Sequence, residues 1–159
     1  EEARKRGLDI EDIIITALVK LLGIDPKRVA EVRLEVAERM FREAEEYVAK
    51  GDPVQASEKI YKAVEECIKA LAEVFRVKVL EDVEGRGKWE TWLLGKASRE
   101  LAEKLSEEKI SLAWSKAYEI HVWGFHENKY SIEDIRIAIP ITRWLLEQTR
   151  KNIREIGNP

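Results

Sequence analysis

Residues 47–72 read YVAKGDPVQASEKIYKAVEECIKALA, and this stretch decides the fold. Gly51 ends one amphipathic run and Asp52-Pro53 opens the next. A glycine just past a helix accepts the left-handed backbone, and an aspartate caps the next helix start. Proline suits the first helical position, where its missing N–H has no partner to lose. Downstream, Val54, Ala56, Ser57, Ile60, Tyr61, Ala63, Val64, Cys67, Ile68, Leu71 and Ala72 recur at helical spacing, and the run continues to an end near Val79. Upstream, Val29, Val32, Val36, Met40, Ala44 and Tyr47 form a second apolar seam. Two long amphipathic helices joined by one hinge residue make an antiparallel hairpin.

The upstream helix starts as sharply, with Asp25 as cap and Pro26 behind it. Its other face, which includes Glu31, Arg33, Glu35, Glu38 and Arg39, sets opposite charges three and four apart and reads as solvated. Before it, a helix is expected over residues 9–22, capped by Asp9. Ile10, Ile13, Ile14, Ile15, Leu18, Val19, Leu21 and Leu22 leave it little polar face, so it is either sandwiched in the core or shared with another subunit.

After the hairpin, residues 81–88 (EDVEGRGK) read as a loop. Arg86 and Lys88 beside Gly85 and Gly87 are candidate ligand contacts, although GRGK lacks the spacing of a P-loop and follows no strand. Further helices are expected over residues 89–105 and 107–125, the latter capped by Ser106. Ser131 and Asp134 resemble a capping box that starts a last helix reaching residue 156, kinked by Pro140. No strand-like alternation and no internal repeat occur. The expected fold is an all-α antiparallel bundle of five to six helices in one domain of 159 residues.

Composition narrows the function. Charged residues make up 37% of the chain, yet the net charge is −3, against a general nucleic-acid-coating role. Abundant charge with few Gln and Asn follows the pattern of hyperthermophilic proteins. Cys67 stands alone, which excludes an intrachain disulfide and a cysteine-built metal centre. No apolar run approaches the ~20 residues of a membrane span. Residues 1–6 (EEARKR) lead into no short apolar segment with a cleavage site, so a cytoplasmic location is expected and no membrane partner.

The chemistry gathers in residues 113–131, AWSKAYEIHVWGFHENKYS, which hold both histidines and two of the five tryptophans. His121 shares a stripe with Trp114, Ala117 and Tyr118 and reads as a core-edge histidine bonded to a carboxylate or carbonyl. His126 falls where a cation is favoured by the carbonyls of a helix end. On a continuous α-helix the two rings, five residues apart, diverge by about 140° and cannot face one point. Neither a metal centre nor a cofactor is therefore expected, unless the helix stops near Gly124. The catalytic alternative makes His121 or His126 a general acid/base for phosphodiester cleavage, helped by Lys116. Trp123 and Glu127, at the helix end with His126, are the residues expected to contact anything outside the fold.

Residues 47–72 together with WSKAYEIHVWGFHENKYS (residues 114–131) resemble the archaeal PaREP family, which looks like a branch of the HEPN-type helical bundles. The resemblance implies a HEPN-like bundle that binds nucleotides or RNA, or partners a nucleotidyltransferase, commonly as a homodimer. HEPN ribonucleases pair an Arg with a His after four to six intervening residues; here Lys116 stands at that spacing from His121. The resemblance thus implies a non-catalytic module, with a metal-independent ribonuclease as the alternative and a purely structural interaction protein as the third. The first helix would supply the dimer contact.

Overall fold

The computed structural model describes residues 10–156. Its helices are α1 (Ile10–Leu22), α2 (Pro26–Lys50), α3 (Pro53–Phe75), α4 (Val79–Arg86), α5 (Thr91–Leu105), α6 (Lys109–Ile120), α7 (Ile132–Arg136) and α8 (Ile139–Glu155). A π-helical turn, His121–His126, continues α6. The described residues hold no strand, and none of their helices is long and apolar enough to cross a membrane. The fold is all-α. To the five to six helices expected it adds two short ones, α4 and α7.

The hairpin forms as its signals dictate. Asp25 accepts from Lys27 N at 3.0 Å and Asp52 from Gln55 N at 3.0 Å. Gly51 takes φ 70° and donates to the carbonyls of Tyr47 and Val48. Helix α3 is the axis of the molecule and packs on α2, α5, α6, the π-turn, α7 and α8. Ala63, Val64, Cys67, Ile68, Ala70, Leu71 and Ala72 are all buried, and with Glu66 and Lys69 burial takes in every side of this part of the helix. Burying Ile60, Ile68 or Leu71 contributes roughly 1.5–3 kcal/mol each. An exposed pair such as Arg28–Glu31 contributes about 0–1 kcal/mol, so the core outweighs the charged surface.

Several boundaries differ from the sequence expectation, each for a local reason. Helix α3 stops at Phe75 because Arg76 turns left-handed, φ 49°, and caps it. Residues 79–86 are helical rather than a loop: Val79, Leu80 and Val83 bury one face, and only Gly87 takes a positive φ. Ser106 is the left-handed C-terminal cap of α5, φ 50°, and not the start of α6. Pro140 lies in the first turn of α8 and kinks nothing, because the chain already breaks after α7. The capping box at Ser131 and Asp134 forms as read. The Asp9 cap lies outside the described residues.

The face of α2 read as solvated is not solvated throughout. Arg33 and, on α3, Lys69 and Glu66 are buried. Arg33 Nη1 reaches Asp12 Oδ1 at 3.0 Å and Glu66 Oε2 at 2.9 Å. Lys69 Nζ reaches Glu65 at 2.6 Å, Glu66 at 3.1 Å and Asp12 at 3.2 Å. Burial works against the charge on Lys69, but Glu65, Glu66 and Asp12 overcome it and hold the ammonium above its ordinary pKa. Burial pushes the Glu65 carboxyl up. For Asp12 burial also acts upward, and Lys69 and Arg33 reverse it, so its carboxyl sits below its ordinary value.

This cluster holds α1. No residue of α1 is buried, while Ile10, Ile14, Leu18, Leu21 and Leu22 are exposed. The helix is therefore not sandwiched in the core of this chain. Asp12 in the cluster and Glu11, 3.0 Å from Arg39, tie it to α2 and α3. Lys69→Ala would remove the buried ammonium that Asp12, Glu65 and Glu66 share. Losing one partner of a buried pair costs about 3–5 kcal/mol. A urea titration should show that loss, and a change below about 1 kcal/mol would mean that the cluster behaves as a surface pair.

Candidate functional site

The site is built where α6 widens into the π-turn. Gly124 makes this possible, because a Cβ there would lie 2.8 Å from Ser57 Cβ and Oγ and 2.9 Å from Ile135 Cδ1. The backbone of Gly124 thus presses on the start of α3 and on α7 with no room for a side chain. Glu127 N donates to Val122 O at 2.8 Å, the five-residue step of a π-turn. Lys129 N and Tyr130 N then both reach Trp123 O, at 2.7 and 3.2 Å, with Asn128 left-handed between.

The wider turn carries His126 round to His121. Their Nε2 atoms stand 3.0 Å apart, where a continuous α-helix would keep them on separate faces. The expected divergence is therefore wrong, and the reason is the extra residue in the turn. His121 is largely buried and stacks on Tyr61, centroids 3.8 Å apart. Phe125 lies near-parallel to it at 5.5 Å, and Tyr61 leads on to Trp114 and Tyr118. Behind His121, Nδ1 is 3.2 Å from Glu58 Oε2. Both atoms are buried and make no hydrogen bond, so the pair faces off the ideal line. A carboxylate thus lies beside His121 as expected, but without the expected bond. Glu58, His121 and His126 form a row from the interior to solvent that can orient an imidazole and move a proton outward.

The other candidates fall around this row. Trp123 is 46% exposed, and His126 and Glu127 are exposed. Lys116 is held at 2.7 Å by Glu119 Oε2, and Tyr130 donates to Glu119 Oε1 at 2.7 Å. These bonds from Lys116 and Tyr130 keep the Glu119 carboxyl below its ordinary pKa. Arg86 and Lys88 are not brought to the histidines by any contact; both pair with Glu90, at 3.3 and 4.0 Å. Arg86 and Lys96 also flank the exposed Trp92 ring, at 5.0 and 5.5 Å. Among the described residues no group of three His, Cys, Asp or Glu is placed to hold a metal.

Sequence reasoning missed Ser57, Glu58 and Tyr61 as site residues. Glu58 and Tyr61 share a face of α3, three apart, but nothing local says which segment that face meets. A family model of the archaeal PaREP1/PaREP8 family matches residues 32–146. The chain belongs to that family. The match spans the hairpin and the histidine segment and leaves α1 outside.

This PaREP1/PaREP8 chain is also similar to a structural-genomics target protein from Sulfolobus solfataricus. Its crystal structure is 36% identical, with a TM-score of 0.66, over 74% of this chain and 95% of that one. A solution structure of the same target matches at 36% identity and a TM-score of 0.65, covering 74% of this chain and 90% of the other. No curated protein matches the chain.

Two outcomes test the site's construction. Gly124→Ala forces a side chain against Ser57 and Ile135, and overpacking of this kind costs about 1–3 kcal/mol. The denaturant midpoint should fall, and NMR of the imidazole rings should show His121 and His126 parted; unchanged stability would mean that the turn is not clamped. Glu119 has a depressed pKa in the folded chain, so its network stabilises above the unfolded value and is lost as pH falls through the folded one. Tyr130→Phe should raise the Glu119 titration point in a carboxyl NMR titration, whereas a point that stays put would remove Tyr130 from the network.

Proposed function

We propose that this PaREP-family chain is a non-catalytic, HEPN-like nucleotide- or RNA-associated module, able to act as the partner of a nucleotidyltransferase. In this reading it is one cytoplasmic domain that dimerises through α1, whose exposed Ile10, Ile14, Leu18, Leu21 and Leu22 favour such a contact. One observation carries the non-catalytic reading. Lys116, at the position of the ribonuclease arginine, is neutralised by Glu119 at 2.7 Å. A transition state gathering charge on phosphate oxygens needs a cation aimed at it, and the lysine at that spacing is already engaged. Trp123, His126 and Glu127 are the surface offered to a ligand.

The metal-independent ribonuclease remains the alternative because of the His121–His126 contact, which suits general acid/base work. RNA cleavage should be measured in EDTA for the wild type, His121→Ala and His126→Ala. We expect no cleavage by any of them. Cleavage by the wild type that disappears in either variant would establish the nuclease instead. A thermal-shift screen with nucleotides and short RNAs should find a stabilising ligand whose effect shrinks in Trp123→Ala; saturation at a hundred times Kd stabilises by about 2.7 kcal/mol. No ligand and no cleavage would leave the structural interaction protein.

A further inference from the structure

We infer that His121 Nε2 and His126 Nε2 form a two-imidazole chelate for a divalent transition metal, held in place by Glu58 behind His121. This stands on the imidazole geometry alone and does not depend on nucleotide or RNA binding.

Three observations converge on it. The first is separation. Two nitrogens bound to one metal at about 2.0–2.1 Å lie about 2.9 Å apart when they subtend a right angle. The observed distance is 3.0 Å. The second is orientation. The ring planes cross at 82° and their centroids are 4.5 Å apart, too close for two rings meeting end-on at that nitrogen distance. The rings are thus inclined, and a centroid separation of 4.5 Å matches two imidazoles that meet at a right angle on a shared ion. The third is the outer carboxylate. A metal-bound histidine almost always gives its other ring nitrogen to a carboxylate or carbonyl, which fixes the tautomer and orients the ring. Glu58 Oε2 sits 3.2 Å from His121 Nδ1, with no hydrogen bond of its own. A small turn of the ring would bring the Nδ1 proton into line with Glu58 and leave Nε2 to ligate the metal.

The backbone supplies the same conclusion from another side. A π-turn is uncommon and is found frequently at functional sites. Here it is clamped by a glycine with no space for a Cβ, and its effect is to bring these two rings together. For a site of imidazole donors the order of affinity should be Cu2+, then Ni2+ and Zn2+. Calcium and magnesium prefer oxygen ligands and should not bind. No third His, Cys, Asp or Glu closes the shell among the described residues, so water or the oxygen atoms of a ligand would complete it. Metal bound here uses both Nε2 lone pairs, and the same atoms cannot then serve as acid and base.

The test is calorimetric titration of the full chain with Ni2+, Zn2+ and Mg2+, without nucleotide. We expect one equivalent of Ni2+ and of Zn2+ and no heat from Mg2+. His126→Ala, which alters an exposed ring, should weaken Ni2+ binding by at least about tenfold, and Glu58→Gln by about 10–100-fold. NMR of the imidazole rings should show His121 and His126 shifting together during the titration. The metal-free melting temperature of His126→Ala should match the wild type, which separates lost binding from lost folding. Absence of Ni2+ and Zn2+ binding, or binding that persists unchanged in His126→Ala, would overturn the inference. The nucleotide screen is run in EDTA, so either result can fail without the other.

Discussion

Helix α3 has no exposed residue from Pro53 to Phe75, and the rest of the molecule follows from that constraint. A helix so enclosed must find partners nearly all round, and α2, α5, α6, α7, α8 and the π-turn supply them. Small side chains at Ala56, Ala63, Ala70 and Ala72 let these neighbours approach. Glu66 and Lys69 of α3 are then cut off from bulk water. At one place the result is the Lys69–Glu66–Arg33 cluster, and at another it is Glu58 facing His121. Both follow from one rule: a charge taken out of water persists only with a partner.

The two clusters use that rule differently. In the first, Lys69 and Arg33 face carboxylates, one of which, Asp12, arrives from α1, while Arg33 Nε stays buried without a hydrogen bond. The ion pairs bring in a helix that contributes nothing to the core and leaves its apolar residues outside. In the second, Glu58 turns one oxygen to Lys62 at 3.8 Å and the other to His121. Glu58 Oε2 and His121 Nδ1 are buried close together without a well-formed hydrogen bond. Imperfectly satisfied buried polar groups are uncommon and ask for a reason.

Much of the fold was legible because it is local. The Gly51-Asp52-Pro53 hinge and the Ser131–Asp134 box depend on backbone conformation and neighbouring donors, and both form as read. The misreadings arose where two local signals competed. Gly85 and Gly87 argued for a loop, whereas Val79, Leu80 and Val83 had an apolar face to bury and prevailed. Ser106 has the chemistry of an N-cap yet closes the preceding helix, and Pro140 begins a helix that the chain had already broken. Arg33, read as one charge of a solvated face, is buried because α1 and α3 bring it carboxylates from elsewhere in the chain.

By itself the sequence determined that the chain is all-helical, where its central hairpin turns, and which segment carries the titratable chemistry. Those properties are set by hydrophobic period, capping and composition, which act within a few residues. Only the tertiary structure decided what that chemistry amounts to. Glu58 and Tyr61 come from α3, more than fifty residues before the histidines. The two imidazoles meet only because Gly124 lets the backbone press against Ser57 and Ile135 and open the turn by a residue. Helical periodicity assumes a regular helix, and packing between distant segments is what makes this one irregular.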